Sequence, residues 1–391
     1  MNRRNFISDL LAASAGAAAW RASRSRVPSP ADPGHLVYVG TYTEHGRTDG
    51  IYRFRVDPRT GAWRPLGATD AGPNPSFLAL HPQGRVLYAV NEVEQYEGAA
   101  SGAVSAFAID PATGGLTLLG RRASRGGAPC YVSVDRAGRF ALVANYVGGN
   151  VAAFPLAADG SLGEAPQVLQ HAGSGPRADR QEKPHAHSIL PDPSGRFALS
   201  ADLGTDQILV YALGSAAGAL APAAVPAVAL PPGAGPRHLA FHPAGRFVYV
   251  TNELDLTVGV FRFDPRTGAL AAVQTVPVVS GPGAGDRTTA DLHLAPSGRF
   301  LYASVRGEDS LVVFAIDQAT GMLTQVQRVS TGGHLPRNFG LDPSGRFLYA
   351  ANQRSDSIVG FRVDPASGRL TPSGVKVEVP APVCVRFAAR A

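Results

Sequence analysis

A Gly-Arg dipeptide closing a short turn recurs at Gly84, Gly138, Gly195, Gly245, Gly298 and Gly345, in steps of 54, 57, 50, 53 and 47 residues. A second marker, of the general form Asp-Pro-x-Thr-Gly, surrounds Gly61, Gly114, Gly160, Gly218, Gly268, Gly321 and Gly368, seven times against six. A period of about 50 residues restricts the fold severely, because each unit must be one supersecondary piece that buries its apolar faces against its neighbours. The copy that starts at Pro336 reads as four strands, at 338–341, 347–352, 357–363 and from 370 onward. Its first two strands, like Phe247-Val248-Tyr249-Val250 in another copy, are apolar on both faces, as expected where adjacent sheets cover both sides. The third alternates, as in Ile51-Tyr52-Arg53-Phe54-Arg55-Val56, which suits a strand nearer a rim. The 45 Gly and 32 Pro agree with many strands and turns. The expected fold is all-β, a seven-bladed β-propeller with four-stranded blades, and the strand pattern excludes a helical solenoid.

The mismatch between the two markers fits a ring closed by a borrowed strand. Residues 36–70 supply the second, third and fourth strands of one blade, and Pro382-Val383-Cys384-Val385-Arg386-Phe387 has the form of its first. Joining the C-terminal strand to the N-terminal blade removes open sheet edges. A single propeller domain is therefore expected over 34–391. Residues 1–33 stand apart. Arg3-Arg4-Asn5-Phe6-Ile7, followed by a mildly apolar stretch to Trp20, resembles a twin-arginine export signal with its linker; the other reading is an arginine-rich disordered tail. With a working signal the protein is exported or periplasmic, and without one it is cytoplasmic. The apolar run is too short to span a bilayer, so no membrane association is expected of the mature form.

The formal net charge of +6 raises the question of nucleic acid. Arg3, Arg4, Arg21, Arg24 and Arg26, set against Asp9, already account for four of those charges, and no basic stripe interleaved with aromatics follows, so nucleic acid is not an expected partner. Cys130 and Cys384 are too few for a disulfide framework and lack metal spacing. Both fall on expected innermost strands, where a free Cys acts as a small buried hydrophobe.

In a propeller blade the first strand runs from one face to the other and the second returns. The start of the first and the end of the second therefore share a face. Starts of first strands carry Asn74, Cys130, His185 and His187, Arg237 and His238, Asp291, and Arg337 and Asn338; ends of second strands carry Tyr42, Asn91 and Glu92, Asn145, Asp202, Asn252 and Glu253, Arg306, and Asn352. These converge on one mouth of the central channel, while His81 and His242 sit in turns on the opposite face and read as structural. Asn91, Asn145, Asn252 and Asn352 recur so regularly that they read as a capping feature of the repeat. His187, Arg237, Glu253 and Arg306 break the repeat. A charge beside a partly desolvated channel is costly unless paired or used, so these four are the candidate catalytic residues, against the plainer reading of a Glu253–Arg237 ion pair that merely joins blades. His185, His238, Asp291, Arg337 and Asn352 are the expected substrate contacts. No Gly-x-Ser-x-Gly elbow, no Cys nucleophile beside a base and no metal-ligand set stands out, so no cofactor or metal is expected. The chemistry suggested is acid and base work with an arginine clamp.

Gly235-Pro236-Arg237-His238 to Asn252-Glu253-Leu254, His185-Ala186-His187-Ser188, Ala290-Asp291-Leu292-His293 and Pro336-Arg337-Asn338-Phe339 together resemble the seven-bladed lactonase family, over residues 36–387. That family includes bacterial 6-phosphogluconolactonase and the fungal carboxymuconate cyclase. The resemblance implies hydrolysis of a sugar lactone, a small molecule, in the propeller mouth. It puts the family's catalytic His on His187, its Arg and Glu on Arg237 and Glu253, and a second Arg on Arg306. Either Glu253 takes a proton from water with His187 passing one to the leaving alkoxide, or His187 is the base and Glu253 its orienter; flanking arginines lower a carboxyl pKa and weaken it as a base. An exported non-catalytic binding propeller and a muconate-type lactonising cyclase are the alternatives. Export would separate the enzyme from a phosphorylated cytosolic intermediate and point to an unphosphorylated lactone.

Overall fold

The computed structural model describes residues 34–43, 49–215, 218–279, 281 and 286–388. The candidate export signal at Arg3-Arg4 lies outside them. Among the described residues, the strands pair into seven four-stranded antiparallel sheets. Blade 1 joins Pro382–Phe387 to His35–Thr41, Ile51–Val56 and Trp63–Thr69. Blade 2 is Leu78–Leu80, Val86–Asn91, Ala103–Ile109 and Leu116–Ala123; blade 3 is Pro129–Val134, Phe140–Asn145, Asn150–Pro155 and Gln167–Gln170. Blade 4 is Ala186–Pro191, Phe197–Asp202, Gln207–Ser215 and Gly218–Ala229; blade 5 is Pro236–Phe241, Phe247–Asn252, Thr257–Phe263 and Leu270–Pro277. Blade 6 is Thr288–Leu294, Phe300–Arg306, Ser310–Ile316 and Leu323–Ser330, and blade 7 is Pro336–Leu341, Phe347–Asn352, Ser357–Val363 and Leu370–Glu378. Each blade's first strand touches the first strands of its two neighbours, and that chain of contacts closes on itself through Pro382–Phe387. The closing register pairs Val37 with Phe387, Val39 with Val385 and Thr41 with Pro382. No helix among the described residues is long and apolar enough to cross a membrane.

The two sequence markers turn out to be halves of one lock between blades. Asp57 Oδ1 accepts the amides of Arg59 and Thr60 at 2.7 and 3.2 Å, an Asx turn that brings Gly61 to φ 75°. The arginine of a Gly-Arg turn then reaches the backbone of the next blade's Asp-Pro-type turn. Arg85 Nη2 donates to Ala158 O at 2.7 Å, Arg246 Nη2 to Gln318 O at 3.2 Å and Arg299 Nη2 to Ala366 O at 3.3 Å. A buried tyrosine in the same blade's second strand adds a bond to the marker glycine. Tyr88 Oη donates to Gly160 O at 2.7 Å, Tyr249 to Gly321 O at 3.1 Å, Tyr302 to Gly368 O at 3.0 Å and Tyr349, across the closure, to Gly61 O at 2.9 Å. The seventh Gly-Arg turn is missing because blade 1 draws its first two strands from opposite chain ends and has no hairpin there.

Apolar clusters fill the spaces between neighbouring sheets. Second strands such as Val86–Asn91, Phe247–Asn252 and Phe347–Asn352 are buried at every residue, whereas the outer strand Leu370–Glu378 alternates toward solvent. The rigid inner ring is what positions the mouth.

Candidate active site

One backbone device aims the mouth residues. In blades 3, 4, 5 and 7 the first strand carries one extra residue opposite its partner, between Pro129 and Tyr131, Ala186 and Ser188, Pro236 and His238, and Pro336 and Asn338. The extra residues are Cys130, His187, Arg237 and Arg337. A β-bulge turns such a residue out of the pleat's regular alternation, here toward the channel. In blade 6 the irregularity lies between Thr289 and Leu292 and includes Asp291. The residue after a second strand's terminal Asn supplies the rest, as Glu92, Tyr146 and Glu253.

Of the residues so aimed, Cys130, His187, Glu253 and Arg337 line a cavity of ≈ 350 Å³ together with Glu92, Tyr146, Arg180 and Arg306, whereas Arg237 and Asp291 do not. The volume lies near the lower end of the range for small-molecule sites, about 300–1,000 Å³. At its centre one carboxylate is held by three guanidinium groups. Glu253 Oε2 accepts from Arg237 Nε at 2.9 Å and lies 2.9 Å from Arg306 Nη2, while Oε1 accepts from Arg180 Nη2 at 2.6 Å. Burial alone would raise the Glu253 carboxyl, but Arg306, Arg237 and Arg180 hold it far below the usual glutamate range. Arg306 is drawn down to about 10 by burial, against the pull of Glu253. A second anionic group, Glu92, accepts from Tyr42 Oη at 3.0 Å and from Ser76 Oγ, with Arg337 Nη2 3.8 Å away and stacked over the Tyr42 ring.

Among the described residues His187 has no carboxylate partner. Its Nδ1 lies 3.6 Å from Cys130 Sγ, its ring meets Tyr146 and His238 edge-on, and among the described residues nothing is bonded to its Nε2. Burial first, then Arg237, His238 and Arg337, push the imidazole well below its ordinary value. It is neutral at physiological pH.

Below the mouth, Arg237 links the clamp to the channel interior. Its Nη1 lies 3.1 Å from His238 Nε2, and His238 Nδ1 lies 2.7 Å from Asp291 Oδ1. Asp291 Oδ2 also meets His293 Nε2 at 2.8 Å. Burial and Arg237 lower His238 to about 3 despite Asp291. His238 and Asp291 are thus buried supports beneath the mouth; neither lines the ≈ 350 Å³ mouth cavity, and both line a separate cavity of ≈ 510 Å³ with His293 and Arg386. His185 is turned away from it, stacked on Tyr146 with Nε2 3.1 Å from Glu182 Oε2. Asn352, expected among the substrate contacts, is fully buried and donates to Thr331 O at 3.3 Å, as Asn91 does to Ala71 O and Asn145 to Ser124 O. It is a cap, because its amide satisfies the carbonyls of the adjoining connection. His242 likewise is structural: its Nδ1 accepts the Ala244 amide of its own turn at 3.1 Å and its Nε2 lies 3.0 Å from Gly298 O in the turn of blade 6. Among the described residues no group of three or more His, Cys, Asp or Glu side chains converges as a metal-ligand set.

Sequence reasoning missed Arg180 and Tyr146 as members of the mouth, and placed Glu92 there without choosing it as a site residue. Arg180 sits in the connection between blades 3 and 4, and the step of 57 residues from Gly138 to Gly195, the longest of the five, was the available sign of extra chain there. Gln181 anchors that connection by donating to Leu203 O and Asp206 Oδ1 at 2.8 and 2.7 Å.

The family model described as Lactonase, 7-bladed beta-propeller, matches residues 36–387. The chain belongs to that lactonase family. It is 38% identical over 354 residues to a protein of Bacillus subtilis named 6-phosphogluconolactonase, covering 90% of this chain and 98% of the relative. A Formosa agariphila protein of the same name is 34% identical over 306 residues, 78% of this chain and 85% of the relative. Among solved structures, the periplasmic gluconolactonase of Pseudomonas aeruginosa superposes with a TM-score of 0.85 at 37% identity, covering 92% of this chain and 100% of that one. The mouth described above is therefore the candidate active site of a lactonase-family propeller.

Proposed function

We propose that this chain hydrolyses a sugar lactone in the mouth cavity, with neutral His187 as general base and the arginines as electrostatic stabilisers. The observation that carries the reading is the contrast between His187, uncharged and open at Nε2, and Glu253, saturated by three arginines. His187 Nε2 takes a proton from water while the water oxygen attacks the lactone carbonyl carbon. Arg306 and Arg337 face the oxyanion that forms. The ring C–O bond then breaks, the alkoxide takes the proton from the imidazolium, and the hydroxy acid releases its own proton to solvent. Glu253 holds Arg180, Arg237 and Arg306 at fixed spacing and is not the base.

A neighbouring cavity of ≈ 610 Å³ shares Glu92 and Arg337 with the mouth and adds Glu94 and Arg354, giving room and side chains of both signs for the rest of a polyol, with the two arginines available to an anionic substituent. The named relatives support a phosphorylated lactone, and the periplasmic neighbour supports an unphosphorylated one outside the cytoplasm, in line with an export signal at Arg3-Arg4. The deciding experiment is a pH-stat panel of phosphorylated and unphosphorylated sugar lactones with muconate analogues alongside. Opening of a lactone supports the reading; binding without turnover favours a non-catalytic module, and ring closure of muconates favours a cyclase. Cell fractionation with Arg3-Arg4 replaced by Lys-Lys tests export.

A further inference from the structure

We propose that Cys130 is a positioning residue whose thiol fixes the tautomer of His187, so that the proton sits on Nδ1 and Nε2 is left bare toward the cavity. The proposal rests on the lactonase reading for its consequence in catalysis, but not for the tautomer itself.

The bonding around the sulfur decides the direction. Cys130 Sγ lies 3.3 Å from His187 O, 3.8 Å from Ala186 O and 3.9 Å from Ala144 O. The thiol has one proton to give, and the 3.3 Å contact to His187 O, shorter than the 3.6 Å contact to Nδ1, favours the carbonyl as its acceptor. The sulfur lone pair that remains then faces His187 Nδ1 at 3.6 Å and accepts from an N–H there. An imidazole that places its proton on Nδ1 presents an acceptor at Nε2.

The sulfur is a thiol, not a thiolate. Burial, with Glu92 adding to it, holds Cys130 protonated far above the ordinary thiol range, so it is neither a nucleophile nor an anion that would make an imidazolium comfortable. The other charged or titratable groups around His187 are Arg237 and His238 from blade 5, Arg337 from blade 7 and Tyr146 from blade 3, with Glu253, Glu92, Asp286, Arg180 and Arg306 lining the same cavity. The cations among them favour a neutral ring. A carboxylate in the place of Cys130 would orient His187 equally well but would favour its protonation, as Asp291 does for His238. A neutral sulfur orients the ring without that effect. The residue expected from sequence to be a buried apolar filler thus occupies the bulge beside the base.

The test uses the full chain labelled with 15N-histidine, the His187 signal being assigned among the ten histidines with His187→Gln. Between pH 6 and 8 the wild-type signal is expected to show the Nδ1–H pattern; an Nε2–H pattern overturns the proposal. Cys130→Ala removes the acceptor, and kcat on the lactone opened by the wild type is expected to fall about 10- to 100-fold with KM nearly unchanged. Cys130→Ser, whose hydroxyl also accepts, is expected to keep the Nδ1–H pattern and recover most of the loss. An alanine variant with wild-type kcat overturns the proposal. If the wild type opens no lactone, the functional reading falls, and the nitrogen spectrum of His187 still decides the tautomer.

Discussion

Arg180, in the connection between blades 3 and 4, and Glu253, just after the second strand of blade 5, lie 73 residues apart yet meet through Nη2 and Oε1 at 2.6 Å. This contact completes the set of donors on Glu253 and fixes its character. A carboxylate saturated by three guanidinium groups is an anchor. Glu253 and Arg237 are both almost fully buried, so the pair is expensive to break from one side. Glu253→Gln is expected to destabilise the fold by about 3–5 kcal/mol, because it leaves Arg237 buried without its counter-charge. Urea titration of the variant measures this. A variant as stable as the wild type but inactive would instead mark Glu253 as the base.

His187→Ala should behave in the opposite way. It removes a neutral buried ring that makes one sulfur contact and no ion pair, so the loss falls on kcat, by about 10²- to 10⁴-fold, with KM little changed. The pH profile follows from the same environment. Since burial and neighbouring cations keep the ring unprotonated well below its usual value, kcat/KM is expected to stay flat from pH 8 down through 6.5 and to fall only in more acid solution. A half-maximal point near 6.5 to 7 in a pH-stat assay would contradict this assignment.

Stability has its own pH dependence, traceable to the paired imidazoles of the channel. His238 binds its proton near 6.5 when unfolded and only near 3 when folded, and His187 is shifted in the same direction. A group whose folded value is depressed in this way contributes stability that is full above its unfolded value and is lost as pH falls below it. Each imidazole removes up to about 1.4 kcal/mol per pH unit in that window. Glu253 and Asp291, also depressed, add their losses only below the ordinary carboxylate range. The melting temperature is expected to start falling between pH 6.5 and 5, and a plateau reaching pH 4.5 in scanning calorimetry would refute it.

The division between what the chain displays and what it hides is physical. Blade number and closure are legible because turns need particular residues and because the markers outnumber each other by one. Arg237 and Glu253 are legible as a pair because a hairpin brings its two ends to one face. The bulges are not: a period-two reading assigns Cys130, His187 and Arg337 to alternating faces, and only the extra residue turns them inward. A proline precedes the bulge residue at Pro129, Pro236 and Pro336, where a missing N–H suits an interrupted ladder, and that is the trace the bulges leave in sequence. Asn352 misleads for a related reason, since a cap and a ligand-binding amide have the same side chain and differ only in which carbonyl is nearby.

Ring closure yields the last prediction, a graded one. Tyr349 Oη bonds Gly61 O across the closing joint, and Tyr349→Phe leaves that carbonyl buried without its donor, at about 1–3 kcal/mol. The equivalent positions of blades 3 and 4 carry Leu142 and Leu199, so the joints between blades 3 and 4 and between 4 and 5 stand without this hydroxyl. Loss of one lock is therefore expected to lower the urea midpoint while leaving a cooperative transition. Deleting residues 382–391 is different in kind. It strips Pro382–Phe387 from His35–Thr41, opens the ladder edge at Val37 to Thr41 and removes Val385 from the core between blades 7 and 1. An unpaired inner edge has no neighbour to cover it and pairs with other chains. The truncated chain should elute as aggregate in size-exclusion chromatography, whereas a monodisperse truncation product with a sharp melting transition would show that the clasp is dispensable.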